Sequence, residues 1–182
     1  GVGDEEITDG VLTKTKRRFN WLLLNLFTAF LATWCISLFG ATIEQMVVLA
    51  FLMPIVASMG GNAGTQTMTV AVRALATKEL TKSNAMRVLV KEALVGIFNG
   101  VLFALLIGCL AWYWADSWKI GAVMAIAMIV TLVLAAFSGI AIPLALARTG
   151  IDPAVASSVL LTTITDVVAF SVFLGLAALL LL

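Results

Sequence analysis

The sequence predicts an all-α integral membrane protein with five transmembrane helices per subunit, N-terminus cytoplasmic and C-terminus outside. Three observations carry this. Hydrophobic residues make up 62% of the chain and charged residues 12%, against about a quarter charged in a soluble domain. The charges are also segregated: uncharged runs cover 19–43, 45–72, 93–115, 120–147 and, interrupted by Asp166 alone, 153–182. A helix needs roughly 20 apolar residues to cross the hydrocarbon, and each run supplies them. Finally, if the spans alternate from an inner N-terminus, ten of the eleven Lys and Arg fall on the inner side, with Lys119 the exception. That asymmetry is the positive-inside pattern and points to a multi-pass protein of the cell (inner) membrane. A soluble five-helix protein of this size would lack polar surface.

Residues 1–18 are polar and cytoplasmic in this reading, and 19–182 form the five-helix transmembrane domain. Asp4, Glu5, Glu6 and Asp9 precede Lys14, Lys16, Arg17 and Arg18, an order that suits the dipole of a short helix, although Gly10 weakens it. Span one follows with Trp21 at the interface. Its length and charged flanks exclude a cleaved signal peptide. Span two opens near Glu44 and closes near Arg73, and Pro54 within it predicts a kink. Span three runs from about Met86 to the aromatic cluster Trp112, Tyr113 and Trp114, which with Trp118 reads as an interfacial belt. Span four runs from about Trp118 to Arg148, with Pro143 as a kink or hinge and Gly150 just past its end. Asp152 and Pro153 open span five as N-cap and first helical residue.

Little else in the composition carries chemistry. A net charge of +1 gives no field for nucleic acid. There is no histidine, and Cys35 and Cys109 lie far apart inside spans, where they read as small packing residues. Zinc, copper, haem and iron–sulfur sites have no ligand set. No nucleophile–base pair marks an enzyme.

Asp166 stands apart from this background. Thirteen residues beyond Pro153 at 1.5 Å each place it ~20 Å into the membrane, with no basic side chain at comparable depth. An intramembrane carboxylate is costly and faces a polar cavity or a partner. A bound cation, a proton or water are the candidates. Ser158, Thr162 and Asp166 recur every four residues and form one polar stripe, flanked by Thr163 and Thr165. Hydroxyl, carbonyl and carboxylate oxygens suit hard ions such as Mg²⁺ or Ca²⁺. The alternative is interhelical hydrogen bonding.

Span two has a second polar face in Ser58, Asn62, Gln66, Thr69 and Arg73. It lines either a water path or, with Gly60 and Gly64, a close-packed interface held by buried amides. Glu92 in span three, followed by Gly96, Asn99 and Gly100, reads equally as an interfacial partner of Lys91 or Arg87 and as a secondary ion site.

The run from Met53 through Gly60-Gly61-Asn62-Ala63-Gly64-Thr65-Gln66 resembles the signature of the MgtE magnesium channel family. So do Arg17-Arg18 with Trp21 and Asn25, Glu92 with Gly96, Asn99 and Gly100, Pro143, and Asp152-Pro153-Ala154 with Thr162, Thr163, Thr165 and Asp166. The resemblance extends from about residue 14 to the end. It implies a homodimer in the lipid bilayer, with the ion path at the subunit interface between spans two and five. Asp166 of each chain would hold hydrated Mg²⁺ at the central site, and Asn62, Ser58, Ser158, Thr162 and Thr165 would line the pore. Mn²⁺, Co²⁺ and Ca²⁺ are competitors, since the same oxygens serve them. The family's cytosolic regulatory domains, including Mg²⁺-sensing CBS domains, are expected to be absent here, and residues 1–18 read as the remnant of the helix connecting them. Ala169 departs from the pattern, which implies glycine there. Two other readings stand beside a Mg²⁺ channel: a carrier exchanging Mg²⁺ for Na⁺ or H⁺, and a non-conducting membrane scaffold.

Overall fold

A computed structural model describes residues 10–81 and 83–182. Asp4, Glu5, Glu6, Asp9 and Lys82 therefore lie outside the described residues, and with them the acidic half of the expected N-terminal helix. Among the described residues the chain is helical throughout: α1 (Val11–Ser37), α2 (Gly40–Gln45), α3 (Val48–Ala76), α4 (Ala85–Ala115), α5 (Trp118–Thr149) and α6 (Pro153–Leu180). Among these, α1, α3, α4, α5 and α6 are long and apolar enough to cross a membrane.

The boundaries follow local chemistry. Gly10 is extended and α1 starts at Val11, so the basic residues from Lys14 to Arg18 ride on the first turns of the first span. No separate helix carries them. The α5 end is set by Gly150, left-handed at φ 77°, a conformation that glycine adopts without a Cβ clash. Asp152 caps α6 by accepting a bond from the Ala154 N–H at 2.9 Å, with Pro153 just inside. The second span opens later than expected. Glu44 sits on the short α2, and Met46 at φ −136°, ψ 75° breaks the ladder before α3 begins. Neither Pro54 nor Pro143 ends its helix.

Helix α5 is the centre, packed against α3, α4 and α6, while α1 leans on α6. Lipid tails are as apolar as leucine, so helices associate through close packing. The main core joins Leu49, Leu52 and Val56 of α3, Met124 and Ala127 of α5, and Ala169, Phe173 and Leu174 of α6. Small residues set the spacing: a Cβ on Gly96 would lie 3.1 Å from the Leu132 carbonyl oxygen, and one on Gly139 would lie 2.8 Å from that of Gly64. Cys35 ties α1 to α6 through a 3.0 Å contact between its Sγ and the Ser171 Oγ. Trp112, Tyr113, Trp114 and Trp118 are all exposed, grouped where α4 passes to α5.

Candidate ion path

Helices α3 and α6 run antiparallel, and two contacts give their register. A Cβ on Gly60 would lie 3.7 Å from the Thr165 Cβ, and one on Gly64 would lie 2.9 Å from a Leu161 methyl. Gly60 is thus level with Thr165, and Gly64 with Leu161. The same register places Asn62 level with Thr163, three residues from Asp166 along α6, or about 4.5 Å of rise.

The glycines and the polar residues of α3 divide between two faces. Gly60 and Gly64 are buried, turned toward α5 and α6 of the same chain. Ser58, Asn62, Thr65, Gln66, Thr69 and Arg73 are exposed. The glycine row is thus a close-packed contact within the chain, while the Asn62 and Gln66 amides are exposed and take no part in it as buried ties.

On α6, Ser158 and Thr162 are exposed and Asp166 is half-buried. Thr162 donates its hydroxyl proton to the Ser158 carbonyl at 2.9 Å, and Thr163 donates to Val159 at 2.7 Å. Their protons are engaged within the helix, so both oxygens offer only lone pairs to anything outside it. Among the described residues Asp166 has no hydrogen-bond or ion-pair partner. Thr165 is placed differently from the rest of the set. It is 1% exposed, bonded to the Leu161 and Thr162 carbonyls, and turned toward Gly60 in place of the open face. Ala169 is fully buried in the main core, where its methyl packs between helices.

Among the described residues no three His, Cys, Asp or Glu side chains converge. A single chain therefore offers a cation one carboxylate at Asp166, with neutral oxygens from Ser58, Asn62, Ser158 and Thr162 along the same pair of helices. Such a set suits an ion that keeps its water, because each water donates hydrogens and needs acceptors.

Glu92 lies elsewhere, half-buried on α4. Its carboxylate accepts from the Thr67 hydroxyl at 3.5 Å, a partner on α3 in place of Lys91 or Arg87. Sequence reasoning passed over Thr67. The available signal was its position three residues past Gly64, on the buried glycine row of α3. Thr131 was also passed over. It is 1% exposed in α5, its hydroxyl buried without a partner among the described residues, and nothing in its apolar surroundings marked it.

A family model described as MgtE, divalent cation transporter, matches residues 53–176. The magnesium transporter MgtE of Bacillus subtilis is 36% identical over 161 residues, covering 88% of this chain and 36% of that protein. Its namesake in Enterococcus faecalis is 32% identical over 178 residues, 98% of this chain and 39% of the relative. In Thermus thermophilus the magnesium transporter MgtE is 33% identical over 165 residues, 90% and 36% respectively. The chain spans little more than a third of the length of these relatives.

Proposed function

This chain belongs to the MgtE family of divalent cation transporters, and we propose that it forms the ion path of a Mg²⁺ channel. The observation that carries the reading is the pair of polar faces on α3 and α6, turned away from the chain's own core and holding Asp166, which has no hydrogen-bond or ion-pair partner among the described residues. In this reading two copies meet at those faces as a homodimer in the cell membrane. The two Asp166 carboxylates together balance one divalent charge. A hydrated ion donates water hydrogens to these carboxylates, to the Asn62 and Ser58 oxygens, and to the lone pairs of Ser158 and Thr162. Thr165 supports the path from behind by fixing α6 against Gly60. Retaining the water shell suits Mg²⁺, which dehydrates reluctantly, with Mn²⁺, Co²⁺ and Ca²⁺ as competitors. The basic ends of the spans face the cytoplasm, and the C-terminus lies outside. Glu92 serves as a secondary ion site away from the central one.

Mg²⁺ flux into proteoliposomes tests this. Asp166→Asn and Asp166→Ala are expected to lose flux by roughly tenfold or more, equivalent to about 1.4 kcal/mol on the barrier to permeation. Wild-type flux in either variant overturns the central site. Flux that stops when opposing Na⁺ and H⁺ gradients are collapsed indicates a coupled carrier, and a wild type with no flux indicates a scaffold.

A further inference from the structure

Helices α3 and α4 barely touch, because α5 lies beneath both. Between them runs a groove of about 160 Å³ lined by Gln66, Thr67, Glu92 and Asn99, with Leu132 and Ala136 of α5 as its floor. An adjoining cavity of about 300 Å³ shares Val70 and Glu92 with it and reaches toward the α3–α4 connection past Glu79 and Lys91. Glu92 stands at the junction of the two. Thr67, which is buried, directs its hydroxyl to the carboxylate at 3.5 Å.

The charge count narrows what such a place holds. The groove has a single carboxylate, Glu92. Adding Glu79 and Lys91 from the adjoining cavity leaves the sum at one negative charge. The other polar groups, the Gln66 and Asn99 amides and the Thr67 hydroxyl, are neutral oxygen donors. A monovalent cation beside this set leaves no net charge against the apolar floor. A divalent ion leaves one positive charge uncompensated in a medium of low dielectric, which is costly. Neither lining holds a further carboxylate to correct the balance. The volume admits an ion with part of its water.

We infer that the α3–α4 groove is a monovalent-cation site, with Glu92 as its charged ligand and Gln66, Asn99 and Thr67 as neutral ones. The inference rests on Glu92 being an ion site and is independent of the role given to Asp166. Equilibrium binding of ²²Na⁺ to the purified chain in a choline background tests it, using wild type, Glu92→Gln, Asn99→Ala and Asp166→Asn. Wild type and Asp166→Asn are expected to bind Na⁺ alike. Glu92→Gln should weaken binding roughly tenfold or more and Asn99→Ala by a smaller factor. Displacement by Li⁺ or K⁺ at concentrations where Mg²⁺ does not displace supports the monovalent assignment. Absence of Na⁺ binding in wild type, unchanged binding in Glu92→Gln, or displacement by Mg²⁺ in Asp166→Asn at lower concentration than by K⁺ would each overturn it. A lost Mg²⁺ flux in Asp166→Asn with intact Na⁺ binding separates the two sites.

Discussion

The backbone of Gly60 in α3 lies directly against the side chain of Thr131 in α5: a Cβ on Gly60 would stand 2.5 Å from the Thr131 Cγ2. Carbon atoms in contact sit about 3.5–4.0 Å apart, so the position has room for no side chain at all. Since Gly60 is also level with Thr165, this contact sets how deeply α3 beds against α5 and α6. It thereby sets where Asn62 stands relative to Asp166.

Gly60→Ala is therefore expected to lower Mg²⁺ flux and to destabilise the fold by about 1–3 kcal/mol, the usual range for overpacking. Thr131→Ala in the same chain removes the clashing methyl and should restore most of both. Flux and thermal unfolding of the single and double variants check this. A double variant no better than Gly60→Ala would show that the contact is not the cause.

Thr131 and Ser157 each bury a hydroxyl that has no hydrogen-bond partner among the described residues. Replacing such a group by an apolar one of similar shape forfeits no bond, so Thr131→Val should leave stability unchanged or raise it by about 1 kcal/mol. Chemical or thermal denaturation in detergent reads this out. A clear loss would reveal an acceptor that the hydroxyl does reach.

A water-filled path and a dry helix contact differ in what reaches them. In a chain whose Cys35 and Cys109 are replaced by alanine, cysteines at Ser58, Asn62, Ser158 and Thr162 should react with a small water-soluble thiol reagent, and flux should fall. Cysteines at Ser157 and Thr131, which are buried, should react slowly. Equal reaction rates at both sets would remove the basis for a path along α3 and α6.

Asp152 caps α6 through the Ala154 N–H. Asp152→Ala should cost about 1 kcal/mol and Asp152→Asn much less, because asparagine also caps well. The comparison of unfolding midpoints is the measurement, and equal losses would mean that the charge matters more than the cap.

The ends of the spans were legible because they depend on neighbours in sequence. Asp152-Pro153 and Gly150 act within one helical turn, and they lie where the residue types indicated. The start of α3 was not, since Glu44 is the last charge before a long apolar run and the break at Met46 is a backbone conformation with no residue signal. Polar faces were also readable, as the four-residue spacing of Ser58 and Asn62, and of Ser158, Thr162 and Asp166, is a property of the helix alone. What those faces pack against was not. Gly60 and Gly64 carry the same signature whether they meet their own chain or another, and only the antiparallel register with Thr165 and Leu161 decides it. Thr67 and Glu92 are 25 residues apart on different helices, a pairing with no local trace.

Helix α5 contributes no side chain to the exposed polar faces, yet it packs against α3, α4 and α6 and is buried along most of its length. A mutational survey scored by transport alone would thus draw its darkest band along α5. Under the proposed ion path, the residues that meet the ion would show as a sparser row on α3 and α6. Sensitivity and proximity to the ion are different maps in this protein, and separating them takes a second score, the amount of folded protein in the membrane.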